Sequence, residues 1–276
     1  MAVLGQFNPA FKPQPAYLLM LLVFLGNFYV GGPPFPPVSL SLLWSVSVEE
    51  QFYLMWPQVM RRASVRGIRI AGLAMFAAST LAPSAALIVG HFTPDVWQNT
   101  FFRLHSFAVG ILIGTMPAGF APRLASRFGL IAAGVTLWFL ASFYGFASPE
   151  MGALAQTLSY PAIALGAGAL LLAALGSGAL YPRFAANRAL VYLGKISYGL
   201  YVYHVFAMTL AEMYAPGLLR PLGRRWPGVV LPMWSPILIV LSAVLTLSFA
   251  MASYRWLESP FLRFKNRYTV VPSRPV

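Results

Sequence analysis

The sequence predicts an all-α fold, a polytopic helical bundle whose solvent is lipid, and three observations predict it. Hydrophobic residues make up 59% of the 276 and charged residues only 9%, where a soluble domain carries about a quarter charged. Mean hydropathy is +0.71, so these side chains cannot cover a fold with a water-compatible surface. The apolar residues also run in long blocks between short polar connections. That is how helical spans read, whereas a membrane β-barrel needs short alternating segments.

Eight apolar stretches follow one another: Ala16 to Val30, Leu40 to Met60, Ile68 to Gly90, Phe101 to Met116, Leu130 to Ala147, Met151 to Leu175, Leu190 to Tyr214 and Trp234 to Leu257. A straight crossing needs about 20 residues, so the short first and fourth read as full spans or as re-entrant or interfacial segments. The second holds Glu49, Glu50 and Gln51 in its middle. Between the first two, the Pro-rich "GGPPFPPVS" is stiff and extended, a connector or the lining of an acceptor entrance. At the end of the eighth, Arg255 and Glu258 stand three apart and Pro260 is expected to stop the helix. No fixed-period repeat and no long linker divides the chain, so residues 1–276 read as a single membrane domain.

The formal charge is +13, from 19 Lys and Arg against 6 Asp and Glu. The basic residues sit in short connections, where they orient spans and meet anionic headgroups, which argues against nucleic acid as a partner. Arg61, Arg62, Arg66 and Arg69 follow the second stretch, Arg123 and Arg127 the fourth, Arg183 and Arg188 the sixth, and Arg263, Lys265 and Arg267 the eighth. The connections around His91 to Asn99 and Ser148 to Glu150 carry none. This alternation puts the basic loops and the C-terminus in the cytoplasm, with Arg220, Arg224 and Arg225 against the rule and only Lys12 speaking for the region before Trp44. The chain has no Cys, which excludes disulfides and a thiolate nucleophile. No secretory signal is evident ahead of the first stretch.

An ionisable group inside a span is a functional hypothesis by default. In "LLWSVSVEEQFYLMWP", read as a helix, Ser45, Glu49, Phe52, Tyr53 and Trp56 fall at i, i+4, i+7, i+8 and i+11 and share a face. One carboxylate, hydroxyls and flat aromatic walls suit a hydroxyl-bearing substrate, with the rings stacking on a sugar or an adenine. A polar clamp pairing Glu49 with an Arg of the bundle explains the same residues. Further on, Arg103 shares a face with Ser106, Gly110 and Gly114; it is either a functional cation or a snorkelling one beside small residues that admit a neighbouring helix. Ser197, Tyr201 and His204 form another polar stripe at i, i+4 and i+7, with His204 a base or a hydrogen-bonded packing residue. Lys195 meets headgroups or an anionic substrate. No His spacing resembles a metal site.

"LLWSVSVEEQFYLMWP" resembles the most recognisable motif of the acyltransferase 3 family, membrane enzymes that O-acetylate bacterial polysaccharides, lipopolysaccharides and related acceptors. "LLVFLGNFY", "FFRLHSFAVGILIG", and the closing pair "YLGKISYGLYVYHV" and "SYRWLESPFLR" resemble its other segments in the same order, so the likeness runs from about Leu21 to Arg263. It departs twice. The family begins with a further pair of segments carrying an Arg and the His regarded as its base, and nothing ahead of Ala16 matches them, so the chain reads as N-terminally truncated relative to the family. His105 stands where the family usually has an acidic residue.

The resemblance implies a mechanism: a His takes the proton of an acceptor hydroxyl, which attacks the thioester of an acyl-CoA donor, while an Arg steadies the oxyanion or the CoA phosphates. It implies catalytic roles for Glu49, His204 and Arg103, substrate contacts for Trp44, Ser45, Phe52, Tyr53, Ser197, Tyr201 and His105, and no metal. His105 is also placed to act as a stand-in base beside Arg103. The acceptor implied is a carbohydrate or lipid-linked sugar, and the location a bacterial-type cytoplasmic membrane. Two alternatives stand beside this reading. One is a non-catalytic fragment whose missing helices come from a partner chain. The other is a small-solute transporter using Glu49 and Arg103 as a substrate path.

Overall fold

The computed structural model describes residues 15–29, 40, 42–89, 98–117, 120, 122–144, 152–175, 187–225 and 234–266, and among them the secondary structure is helical with no strand. The Pro-rich connector, Lys12, His91, Asp95 and the Ser148–Glu150 connection lie outside the described residues. The chain divides into two compact units, one drawn from Pro15–Phe35 and Leu43–Arg183, the other from Met1–Gln14, Pro36–Leu42 and Phe184–Val276.

The first unit holds α1 (Pro15–Leu22), α2 (Gly26–Tyr29), α3 (Trp44–Arg62), α4 (Val65–Ile88), a 3-10 turn (Thr100–Phe102), α5 (His105–Gly114), α6 (Leu124–Ser142) and α7 (Gly152–Leu175). α6 packs along α7, α5 lies against both α4 and α7, and α2 rests on α3. Small residues set the closest crossing. A Cβ built on Gly134 would stand 2.8 Å from the Gly166 carbonyl oxygen, and one on Gly166 would stand 2.9 Å from that of Gly134. Without side chains at these two positions the α6 and α7 backbones meet directly, which is how apolar helices gain packing when lipid offers no hydrophobic drive.

The second unit holds α8 (Arg188–Lys195), α9 (Ser197–Arg225), α10 (Trp234–Ser253), a π-helical turn (Tyr254–Glu258) and α11 (Ser259–Asn266). α9 and α10 form its main helix pair. Tyr203 donates to the Ser253 hydroxyl at 3.4 Å, and Ser253 donates to Glu258 Oε1 at 3.1 Å. This chain of hydroxyls ties the π turn back to α9.

Three described helices are long and apolar enough to cross a membrane: Val65–Ile88, Thr157–Leu175 and Trp234–Phe264. The eight apolar stretches therefore do not appear as eight spanning helices, and local chemistry gives the reasons. The first stretch breaks after Leu22, where Phe24 takes φ 59° and the Leu25 amide reaches back to the Met20 carbonyl at 2.7 Å. That is a helix stop of the kind usually built on glycine. The fourth opens on the 3-10 turn, leaving a ten-residue α5 about 15 Å long. α3 is continuous over 19 residues but carries Glu49, Glu50, Arg61 and Arg62. The seventh divides at Ile196 into α8 and α9.

The eighth corrects a sequence expectation. Pro260 does not end the helix; the chain stays helical through the π turn and on to Asn266. Pro260 is the second residue of α11 and directly follows the π turn, where the Ser259 amide bonds the Tyr254 carbonyl five residues back, so the hydrogen-bond register has shifted at the point where proline's missing N–H falls. Glu258 is held by Ser253, and no ion pair joins it to Arg255 among the described residues.

Candidate functional site

In the first unit the candidate residues gather around α3. The helix forms as its pattern predicts, running through Glu49, Glu50 and Pro57 to Arg62. Phe52 lies in a ladder of rings: Phe107 stacks on it at 4.1 Å with planes 18° apart, and Trp56 stacks at 5.4 Å with planes 17° apart. Tyr53 meets the Phe107 ring edge-on at 6.4 Å and is itself exposed. Offset stacking of this kind adds about 0.5–1.5 kcal/mol per pair beyond area burial. Ser45 is half-buried, while Glu49 is exposed on the same helix.

The ladder lines a cavity of about 580 Å³ whose wall includes Phe52, Tyr53, Trp56, Ser106, Gly110 and Gly114. Two faces read separately from the sequence, one on α3 and one on α5, thus meet at one space. A Cβ added at Gly110 or at Gly114 would meet nothing within 4 Å. These glycines do not serve a close helix crossing; they leave room. The volume lies within the roughly 300–1,000 Å³ range of small-molecule sites.

Arg103 departs from that face. It caps the 3-10 turn just ahead of α5. Its guanidinium carbon lies 3.7 Å from the Tyr160 ring centroid and 5.1 Å from that of Trp44. Held half-buried against two rings by cation–π attraction, it does not have the geometry of a freely snorkelling side chain. Trp44 therefore serves as a seat for Arg103, and Tyr160, unremarked in the sequence, is its second seat. His105 is 3% exposed and edge-on to Phe76 at 5.7 Å. Its Nε2 is buried with no hydrogen-bond partner among the described residues.

A closed polar ring, also missed by sequence reasoning, braces the N-terminal side of this unit. Gln51 donates to Asn27 Oδ1 at 2.9 Å, Asn27 donates to Thr100 Oγ1 at 3.0 Å, and Thr100 donates to Gln51 Oε1 at 2.5 Å. Gln51 also donates to the Phe24 carbonyl at 2.5 Å, so it pins the left-handed turn between α1 and α2. Asn27 is 2% exposed, and a buried amide is tolerated because every member of the ring has a partner. The available signal was a Gln among intramembrane carboxylates and an Asn in an apolar run.

In the second unit Ser197, Tyr201 and His204 fall on α9 as their spacing predicts. Ser197 turns to the Gly194 carbonyl at 2.9 Å. The His204 Nδ1 lies 2.5 Å from the Tyr201 carbonyl oxygen. A carbonyl only accepts, so this contact is a hydrogen bond in the tautomer that carries the proton on Nδ1, and that tautomer has Nε2 as its acceptor nitrogen. His204 lines a cavity of about 750 Å³ between α9 and α10, along with Met208, Glu212, Ser242 and Thr246. Glu212 stands eight residues from His204, close to two turns further along the same face. It lies inside the seventh apolar stretch, and sequence reasoning passed over it. Glu49, Arg103 and His105 thus belong to one unit and His204 to the other.

A family model described as an acyltransferase domain matches residues 2–253, the span that also holds every candidate residue named above. No curated protein and no solved structure matches the chain.

Proposed function

The chain belongs to the acyltransferase 3 family, and from that premise we propose that it moves an acyl group, acetyl in the simplest case, from acyl-CoA to a carbohydrate hydroxyl at a cytoplasmic membrane. The observation that carries the reading is the family match over residues 2–253. The His204 contact supports it, because the tautomer that donates Nδ1–H to the Tyr201 carbonyl has Nε2 as its acceptor nitrogen.

In this reading Nε2 of His204 takes the proton of the acceptor hydroxyl. The oxygen attacks the thioester carbonyl, the C–O bond forms, and the C–S bond breaks as the tetrahedral oxyanion collapses. The imidazolium returns its proton to the departing CoA sulfur, so the cycle closes with the ester and the free thiol. Arg103, fixed by two aromatic faces in the other unit, is a cation held at little reorganisation cost, the kind of group that an oxyanion or a CoA phosphate requires. In the unit that holds α3, exposed Glu49 offers a carboxylate and the rings of Phe52 and Tyr53 offer flat apolar walls, groups that suit a sugar.

The test is transfer by this chain in membranes. Radiolabelled acetyl-CoA is supplied, and label is followed into polysaccharide or lipid-linked sugar beside Glu49→Ala and His204→Ala. Label that depends on both residues supports the reading. Label that persists in both variants, or that never exceeds membranes lacking the chain, contradicts it.

A further inference from the structure

In the second unit α8 is amphipathic. Arg188, Tyr192 and Lys195 fall at i, i+4 and i+7 on one of its faces, with Leu190 and Leu193 on the other. All five are exposed. The Tyr192 ring meets the Tyr254 ring edge-on at 6.3 Å, so the cationic face of α8 is the one turned to the π turn. Arg255, next in sequence to Tyr254, is exposed there. No carboxylate pairs with Arg188, Lys195 or Arg255 among the described residues. The described carboxylates of this unit are Glu258, which Ser253 holds, and Glu212, farther along α9. The helix dipole favours Lys195 at the end of α8 but disfavours Arg188 at its start.

Helix length puts this end of the unit at headgroup depth. The helical run Trp234–Phe264 has 31 residues, about 46 Å at an α-helical rise against roughly 30 Å of hydrocarbon. Its charged residues, Arg255, Glu258 and Arg263, all follow Ser253, so that is the end that leaves the lipid core. The start of α9 lies beside it. A Cβ on Gly199 would stand 3.0 Å from the Ala250 Cα, and Tyr203 reaches Ser253. Only Ile196, fully buried, separates α8 from α9, so α8 shares that level. Trp256, 74% exposed, and Tyr198, 56% exposed, add the aromatic side chains that membrane interfaces favour.

We propose that Arg188, Lys195 and Arg255 hold the phosphate headgroup of an anionic phospholipid, with α8 seated in the bilayer interface by Leu190 and Leu193. Guanidinium groups take phosphate oxygens through paired charge-assisted hydrogen bonds, and the ammonium adds a point charge. The Tyr192 and Tyr254 hydroxyls are further donors in the same cluster. A free phosphate ion shares this chemistry. The cluster is open, however, and exposed hydrated cations give a small free ion little. A lipid arrives already held at this depth by its chains. No step of acyl transfer runs through the site.

The experiment is a titration of the full chain in neutral detergent micelles with fluorescently labelled phosphatidylglycerol, competed by unlabelled phosphatidylglycerol, phosphatidylcholine and inorganic phosphate. Phosphatidylglycerol is expected to displace the probe, phosphatidylcholine to do so roughly tenfold less well, and phosphate to leave it bound. The triple variant Arg188→Gln, Lys195→Gln, Arg255→Gln is expected to bind the probe roughly tenfold or more weakly. Removing as many charges from the far end of α9, with Arg220→Gln, Arg224→Gln and Arg225→Gln, is expected to leave the affinity unchanged. Arg188→Gln alone serves if the first triple variant unfolds, with a loss of roughly threefold or more. Equal losses in the two triple variants make the effect one of net charge and overturn the assignment. So does phosphatidylcholine that competes as well as phosphatidylglycerol, or phosphate that displaces the probe, which makes the cluster a free-anion site.

Discussion

Gln51 shows how much one amide does in this fold. It closes a ring with Asn27 and Thr100 and also holds the carbonyl of a residue at positive φ. Removing it leaves Asn27 and Thr100 short of partners in a buried setting, at about 1–3 kcal/mol. Gln51→Ala is expected to lower the unfolding temperature in detergent clearly. Tyr53→Ala, on an exposed ring of the same helix, is expected to lower it little, and equal losses would contradict this account. His204 carries a sharper expectation. Gln at that position keeps hydrogen-bonding capacity but has no titratable nitrogen, so His204→Gln is expected to lower kcat by about 10²–10⁴-fold with KM little changed. A rise in KM at constant kcat would make it a binding residue instead. Arg103→Lys keeps the charge and loses the planar group that lies over Tyr160 and Trp44. Transfer should fall even though the net charge is unchanged.

Helices were legible where periodicity was strong and the partner lay on the same element. The spacing of Phe52, Tyr53 and Trp56 predicted a shared face, and so did that of Ser106, Gly110 and Gly114; both faces line the cavity. That the two faces meet was not legible, because a period describes one helix and says nothing of its neighbour. The ring of Asn27, Gln51 and Thr100 was hidden for the same reason, its members standing 24 to 73 residues apart. Element ends misled most. A Phe at a left-handed position ended α1 without the expected Gly, and a π turn carried the last helix through Pro260. The α6–α7 crossing yields its own prediction. Gly134→Leu puts side-chain atoms where the Gly166 backbone lies, so the helices must part and stability should fall by several times the effect of Gly129→Leu, whose added Cβ meets nothing. Thermal unfolding of the two variants side by side decides the point.

For the whole molecule, composition and the order of motifs sufficed for class and family, because the scarcity of charge and the sequence of short motifs are properties of the chain itself. Orientation is a prediction of the basic connections: a reporter fused after Val276 that works only in the cytoplasm should be active, and an inactive one would reverse the assignment. The central claim is chemical. Its most direct measurement is the release of free CoA thiol by the purified chain in nanodiscs, given acetyl-CoA and a carbohydrate acceptor, with labelled acetyl counted on the acceptor in the same sample. The account predicts one thiol released per acetyl transferred, acceptor-dependent and lost in His204→Gln. Thiol release that ignores the acceptor, or transfer undiminished in His204→Gln, would contradict it.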